Sequence, residues 1–472
     1  MTEVVTALSH QWESSVAATL AQVNGVSVVR RCADVSELVS VVEAGVGELA
    51  VVSGDLRGLD LSVVRRLRAH GVRVVGLHPA DDDVAEQRLH QLSISQVLPA
   101  EASATEFALA LVLGRERRDP DPATTTTSET TAPGGDDDGF SAVGDLDDAE
   151  PVPARGGADR ANGTGASATG GPDPRPGDGE PRRARLLAVW GPTGAPGRTT
   201  VATSLAAELA GRGVDVLLVD ADTYGGCVAQ SLGLLDEAPG IAAACRAADQ
   251  GTLDVSGLAR LAPVVAGRLR VLTGMPKAER WTEVRAAPLE RVLELARSLV
   301  EVVVVDCGFC LEDDEELSYD TSAPRRNEAT LTSLACADEV VAVGGADPVA
   351  LQRLVRGLQE LGTVPSPEPV VVVNRVRSAA VGAHPATRIA DSLRRFAGLE
   401  TVRFVPDEPA VLDACLLAGR SVVEQAPGSG VRSAVADLAD ALVPAGAGRQ
   451  VAGRSFWARV TRQKRTGPEL RA

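Results

Sequence analysis

Lysine is nearly absent from this sequence. Lys277 and Lys464 are the only two in 472 residues, and arginine carries almost all of the fixed positive charge. Where a site would ordinarily use a compact ammonium, this chain offers a bulkier planar fork. Aromatic residues are also scarce, with six Phe, two Tyr and four Trp, so the cores are expected to be aliphatic. No apolar run approaches the roughly 18 residues that cross a bilayer, and no basic start followed by an apolar core opens the chain. A cytoplasmic protein is expected. Seven cysteines, odd in number and without a framework spacing, suit reduced thiols better than a disulfide scaffold. Five scattered histidines show no ligand spacing.

Acid is what the chain has in excess. The formal net charge is -17, yet it is unevenly spread, with fourteen acids against three arginines between Asp119 and Glu180. That stretch is rich in Thr, Gly, Asp, Pro and Ala and has almost no large apolar residues, so it cannot offset the entropy of ordering. A disordered acidic linker is expected over 117–183. Conversely, Arg449 to Ala472 carries seven basic residues against Glu469. At 44% hydrophobic content, the remaining length is enough for two ordinary cores, expected over 1–116 and 184–446, with a basic tail over 447–472.

From Val4 to about Leu113, short apolar strands alternate with helical patterns. Strands are expected at Val4–Leu8, Val26–Arg30, Leu49–Val52, Val72–Leu77 and Gln96–Leu98. Helices are expected near Glu13–Val23, Val35–Ala44, Leu61–His70 and Asp83–Leu92, with a closing one from Thr105. Five βα repeats need crossovers, so the sheet should be parallel with helices on both faces. The count and length resemble a receiver domain of response regulators, a flavodoxin-like fold. The phosphoacceptor position at the end of the third strand falls on Ser53, however. Ser9 and His10 stand where the acidic pair is expected, and no lysine follows the fifth strand, which ends Val97-Leu98-Pro99. Phosphorylation chemistry of that kind is lost. Asp55, two residues on, reads either as a displaced acceptor or as a turn residue.

The second region opens on Leu186-Leu187-Ala188-Val189-Trp190-Gly191-Pro192-Thr193-Gly194-Ala195-Pro196-Gly197-Arg198-Thr199-Thr200, which reads as a buried strand, a phosphate-sized loop and the first turn of a helix. Glycines let backbone N–H groups approach an anion at a helix N-terminus, and a Thr hydroxyl can hold a magnesium ion. Gly194, Gly197 and Thr199 fit those roles. The loop breaks its own rule, because Arg198 replaces lysine, Pro192 replaces the first glycine and Pro196 removes an N–H donor. The helix that follows puts Val201, Leu205 and Leu209 on one face. Further strands are expected at Val214–Val219, Leu269–Leu272, Val302–Val305, Val340–Val343, Val370–Val373 and Val402–Val405, apolar and β-branched as strands buried on both faces should be. Between them, Leu289, Val292, Leu293, Ala296 and Leu299 make one apolar helix face. At the carboxyl ends of these strands, where open parallel sheets bind ligands, stand Asp220 with Asp222, Asp306, and Asn374 with Arg375. An apolar run ending in aspartate, as Val302 to Asp306 does, is the Walker B form.

This order of motifs resembles the MinD/ParA family of P-loop ATPases, and within it a CpaE-like branch in which a receiver-like domain precedes the ATPase. The resemblance implies two doubly wound parallel-sheet α/β domains, the second a P-loop NTPase. The family's deviant Walker A, Lys-Gly-Gly-x-Gly-Lys-Thr-Thr, falls on Thr193, Gly194, Ala195, Pro196, Gly197, Arg198, Thr199 and Thr200, with both lysines gone. It further implies that Asp222 is catalytic and positions the attacking water. ATP would be bound through 194–200, Asn374, Arg375 and the Pro406-Asp407 turn, and Mg2+ through Thr199, Asp220 and Asp306. An ATP-dependent homodimer is implied, with protein partners in a membrane-associated machine. The functions implied are pilus or secretion-system assembly, division-site placement or partitioning.

Other readings of the same residues stay open. Asp220 and Asp222 also read as strand-end caps, and Asn374-Arg375 as a polar turn. Cys307-Gly308-Phe309-Cys310 has redox or metal spacing but no second pair. Arg325-Arg326-Asn327 reads as a solvated charge run, or as cations that replace the loop's lysines. The tail Phe456 to Arg465 puts aromatics beside basic residues, as a helix on anionic lipid at the inner face of the plasma membrane would, or a weak contact with nucleic acid or an acidic partner. The alternative to a weak ATPase is a degenerate nucleotide-binding scaffold with little or no hydrolysis.

Overall fold

A computed structural model describes residues 1–116, 184–234, 239–313 and 324–444. The acidic linker and the basic tail expected from the sequence lie outside these residues.

The first sheet follows from five strands that bury both faces: β1 (Thr2–Ala7), β2 (Val26–Cys32), β3 (Leu49–Ser53), β4 (Arg73–His78) and β5 (Gln96–Pro99). All are parallel and run in the order β2-β1-β3-β4-β5, the flavodoxin-like arrangement. Two aliphatic clusters cover its faces, one around Leu38, Leu61 and Leu67 and the other around Leu20, Leu49 and Phe107. Helices α1 (His10–Leu20), α2 (Val35–Glu43), α3 (Leu61–Ala69), α4 (Asp83–Gln91) and α5 (Ala104–Glu116) make the crossovers. Helix α1 begins three residues earlier than the pattern suggests and ends earlier. Its N-cap Ser9 is fixed from outside the helix, where the Ser53 hydroxyl accepts from the Ser9 N–H at 2.7 Å. Asp55 is exposed in the turn after β3 and, among the described residues, accepts only from the Gln11 amide, at 3.2 Å.

The second sheet has eight strands in the order β13-β12-β11-β6-β10-β7-β9-β8. They are β6 (Arg185–Trp190), β7 (Val216–Ala221), β8 (Val264–Ala266), β9 (Leu269–Leu272), β10 (Val302–Cys307), β11 (Glu339–Gly345), β12 (Pro369–Val376) and β13 (Arg403–Pro406). Every neighbouring pair is parallel except β8 and β9, a short antiparallel hairpin turning at Gly267, where φ is +54°. A wholly parallel sheet was the expectation. At three residues, β8 is too short to carry a period of its own.

Several strands also run further than their apolar runs. Asp220, Asp306 and Asn374 are strand residues, each at most 4% exposed, and not part of the following loops. Because β10 lies between β6 and β7, its carboxyl end is flanked by both. In that register Asp306 stands opposite Asp220 on one side and Val189 on the other.

Helix α6 (Arg198–Gly211) follows the loop and is buried all round from Val201 to Ala210, not only along the face of Val201, Leu205 and Leu209. Its Glu208, 2% exposed, accepts from Arg212 and from Arg432 of the C-terminal helix Gly430–Leu442. On the opposite layer, helix α10 (Ala286–Leu299) buries Leu289, Val292, Leu293 and Ala296 as the pattern predicts, and Leu299 packs partly buried against the same core.

The described residues form one compact unit. The two sheets meet through polar contacts. Asp249, at the end of helix α8 (Gly240–Asp249), accepts from the Ser62 hydroxyl at 2.9 Å and pairs with Arg285. Arg65 pairs with Glu290, and Arg88 donates to the Gln250 carbonyl at 3.0 Å. Ala287 of α10 joins the apolar cluster of the first sheet.

Candidate functional site

Strand β6 delivers the chain into a loop that two glycines allow to turn. Gly194 and Gly197 hold φ of +71° and +90°, and a β-carbon on Gly197 would strike the Asn374 side chain. A β-carbon on Gly191 would strike the Val343 carbonyl, so the loop starts against the neighbouring strand. Ala195 N–H donates to Pro192 O at 2.9 Å, closing a turn around Thr193 and Gly194, both exposed. Gly197 is the N-cap of α6, and no side chain caps the helix. The first N–H groups of a 14-residue helix therefore face the loop with only the helix dipole behind them, which suits an anion.

Three carboxylates lie beside this terminus, and they differ in what holds them. Asp220 accepts from the N–H of Asp222 at 3.3 Å and of Val228 at 3.1 Å. Its carboxyl is pushed well above the ordinary range by burial, then by the neighbouring Asp306. Asp222 accepts from the N–H of Tyr224 at 2.9 Å and of Gly225 at 3.2 Å. Asp306 is 1% exposed and neither of its carboxylate oxygens has a hydrogen-bond partner. Burial pushes its pKa up to about 7; the neighbouring Thr199 hydroxyl, outside hydrogen-bond geometry to either oxygen, opposes the rise, Asp222 adds to it, and the Arg198 guanidinium opposes it less strongly.

Two orphaned, buried oxygens next to a threonine hydroxyl are donors of the kind a hard divalent cation takes. Among the described residues no cluster of His, Cys, Asp and Glu suffices by itself to hold a metal ion. Thr199, Asp220 and Asp306 are oxygen donors of the kind magnesium takes, and an ion held by so few of them would keep waters or phosphate oxygens of its own.

Arg198 does not point freely into the loop. It donates to Gly191 O at 3.0 Å and to Asp222 Oδ2 at 3.3 Å, and its guanidinium carbon lies 5.9 Å from the centre of the Phe309 ring. The residue in the lysine position thus ties the start of the loop to Asp222. Asn374 is also committed: its amide donates to Pro196 O at 2.9 Å and its oxygen accepts from Arg375 N–H at 2.9 Å. Arg375 is exposed with φ of +58°, a left-handed conformation unusual for a residue with a side chain. Asp407, after Pro406, pairs with Arg377 at 3.2 Å. Thr200 and Ala195 are half-buried in the loop and the first helical turn, and Thr199 Oγ1 accepts from the Cys227 thiol at 3.7 Å.

The run Arg325-Arg326-Asn327 corrects the sequence reading of a solvated charge face. Asn327 is 5% exposed, accepting from the Tyr224 hydroxyl at 2.7 Å and donating to Glu312 O at 2.7 Å. Arg326 stacks 3.7 Å over the Tyr224 ring and donates to the Thr223 hydroxyl at 2.9 Å. Tyr224 in turn packs on Phe309 with centroids 4.7 Å apart, and Trp190 Nε1 donates to Phe309 O at 3.2 Å. These contacts join the segments after β7 and β10 into one layer around Asp222. Sequence reasoning missed Tyr224 and the Phe309 ring, and it named Arg326 only within a charge run. The clue available was that two of only eight Phe and Tyr residues follow strand-end aspartates closely. Cys307 ends β10 buried, with its thiol pushed up by burial, which leaves it an unreactive core sulfur.

Residues 187–416, just under half of the chain, match the profile of the CobQ/CobB/MinD/ParA nucleotide binding domain. Among solved structures the chain is similar to a ParA family ATPase from Chlorobium tepidum TLS, at 19% identity and a TM-score of 0.45, over 54% of this chain and 98% of that one. It is similar to the cell division ATPase MinD of Pyrococcus furiosus, at 18% identity and 0.43, over 55% and 98%. It is also similar to the septum site-determining protein MinD complexed with Mg-ADP from Pyrococcus horikoshii OT3, at 17% identity and 0.44, over 57% and 100%. No curated protein matches the chain. No helix among the described residues is long and apolar enough to cross a membrane.

Proposed function

We propose that residues 184–446 form a nucleotide-operated switch of the MinD/ParA kind, one that binds ATP with Mg2+, pairs with a second copy in that state and hydrolyses ATP slowly. The observation that carries this reading is Asp306, whose buried carboxylate oxygens lack partners beside Thr199 and an uncapped helix N-terminus. A structural aspartate so deeply buried would be expected to have hydrogen bonds. A magnesium ion held by Thr199, Asp220 and Asp306 would supply charge for the phosphates.

The chain's own residues do the rest. The loop 194–200 and the start of α6 bind phosphate through backbone N–H groups. Asn374 and Arg375, with Pro406 and Asp407, border the nucleotide on the β12–β13 side. Asp222 orients the attacking water, so catalysis is positional and electrostatic. Arg198 begins in contact with Asp222. Phosphate oxygens compete for that guanidinium, and when they take it Asp222 is released to water. In this reading the 1–116 module is receiver-like without phosphoacceptor chemistry, as in a CpaE-like branch, and reports on the switch to partners. The role is that of a spatial organiser in pilus or secretion-system assembly, division-site placement or partitioning. Residues 117–183 serve as the tether, and the tail 447–472 touches membrane, nucleic acid or an acidic partner at the inner face of the plasma membrane.

A second reading, a nucleotide-binding scaffold with little or no hydrolysis, is favoured by one observation. Arg198 is already committed to Gly191 O and Asp222, which leaves it less free for transition-state charge. ATP binding by calorimetry on the full chain, with and without magnesium, followed by phosphate release, tests the two together. Magnesium-dependent binding with slow release supports the switch, binding without release supports the scaffold, and no binding at millimolar ATP overturns both. Asp222→Ala should abolish release and trap an ATP-bound dimer on size exclusion.

A further inference from the structure

The helix Pro348–Leu361 lies along the loop and meets it with one stripe, Ala350, Arg353 and Gly357, at helical spacings of three and four. A β-carbon built on Gly357 would lie 2.7 Å from Pro192 Cβ. One on Gly345 would lie 2.8 Å from Ala350 Cβ and 3.1 Å from Pro196 Cδ. One on Gly194, midway between the two prolines, would strike Arg353 Nη1 and lie 3.4 Å from its Cζ. The helix and the loop therefore run past one another in opposite directions. Pro192 and Pro196, which depart from the expected loop sequence, are its packing points, and a guanidinium rests on the glycine between them.

Arg353 is exposed and has no hydrogen bond or ion pair among the described residues. Most other arginines near the site are engaged: Arg198 with Asp222, Arg326 with Thr223 and Arg377 with Asp407. The cationic side chain left unengaged over the loop comes from a helix more than 150 residues away in sequence. We propose that Arg353 binds phosphate oxygens of the nucleotide held by this loop, supplying the positive charge that Thr193 does not carry. The guanidinium fork suits that task, since it can give two parallel N–H bonds to one phosphate. The proposal rests on the nucleotide reading above and adds to it the group that recognises the phosphates.

The test is nucleotide affinity by calorimetry on the full-length chain with Mg2+, comparing ATP and AMP. Arg353→Met keeps the aliphatic stem against Gly194 and removes the charge. It should weaken ATP about tenfold, while AMP should change less than twofold. Arg353→Lys, which keeps the charge but not the fork, should recover part of the loss. Arg356→Met removes the same charge from the groove between this helix and Pro385–Ala397 and should bind ATP as the parent does. Unchanged ATP affinity in Arg353→Met overturns the proposal, as does an equal loss for AMP, an equal loss in Arg356→Met, or no recovery with lysine. A parent chain that binds no ATP overturns the nucleotide reading itself, an outcome distinct from all of these.

Discussion

At the scale of single residues, Arg198 and Asp306 are where the site departs most from a comfortable interior. Arg198 satisfies a carbonyl and a carboxylate at once, which a lysine on the same backbone would do less completely because its charge is compact and its donors are not forked. Arg198→Lys should therefore free Asp222 and raise the rate of phosphate release about tenfold, a barrier change of ~1.4 kcal/mol, read by a coupled phosphate assay. Asp306 is the reverse case, a charge with nothing to hold it. Its folded pKa of about 7 lies above the ordinary 3.8, so the folded state binds the proton more tightly than the unfolded chain. The cost of ionising it is absent at low pH, grows as pH rises above the unfolded value, and is fully present above pH ~7. Asp306→Asn should then stabilise the nucleotide-free chain at pH 8 by on the order of 3 kcal/mol, and the gain should shrink towards pH 5. Calorimetric melting across that range checks it; a gain independent of pH would refute the buried-charge account.

At the scale of elements, the strands show what a period can and cannot reveal. Runs such as Val302-Val303-Val304-Val305 announce a strand buried on both faces, and the structure has one there, together with nearly every other strand and helix expected. The ends were less legible. Asp220, Asp306 and Asn374 look like loop residues by composition but lie within strands, because strand pairing continues past the last apolar side chain. Helix α6 hides a similar surprise in Glu208. Its polarity points outward on a helical wheel, yet it is buried beneath Arg212 and Arg432, and Arg432 lies 224 residues away in sequence. Glu208→Ala should cost about 3 kcal/mol in denaturant unfolding, the low end for breaking a buried ion pair. Glu208→Gln should cost less, because its amide oxygen still accepts one hydrogen bond.

At the scale of the whole molecule, the two sheets are joined by polar groups around Asp249, Arg285, Ser62, Arg65 and Glu290, with one apolar contribution from Ala287. Such a junction depends on a few directional contacts. Asp249→Ala leaves Arg285 without its nearest acid and Ser62 without its acceptor, and should lower stability by about 2 kcal/mol. It should also split a single thermal transition into two in scanning calorimetry. If the transition stays single and unshifted, the contact carries no coupling.

Local pattern was enough for the repeat of strand and helix, the aliphatic cores, the loop at Gly194 to Thr200 and the placing of Asp220 and Asp306 near the carboxyl ends of their strands. Each of these depends on residues close in sequence, whose spacing alone fixes which side is buried. Tertiary structure decided where the charges go. It set Asp306 opposite Asp220, turned Arg198 onto Asp222, laid Arg326 on Tyr224 and brought Arg353 to Gly194. Those pairings join segments up to 159 residues apart in sequence. No periodicity encodes them, because they arise only once strand order and helix packing bring distant side chains within a few ångströms.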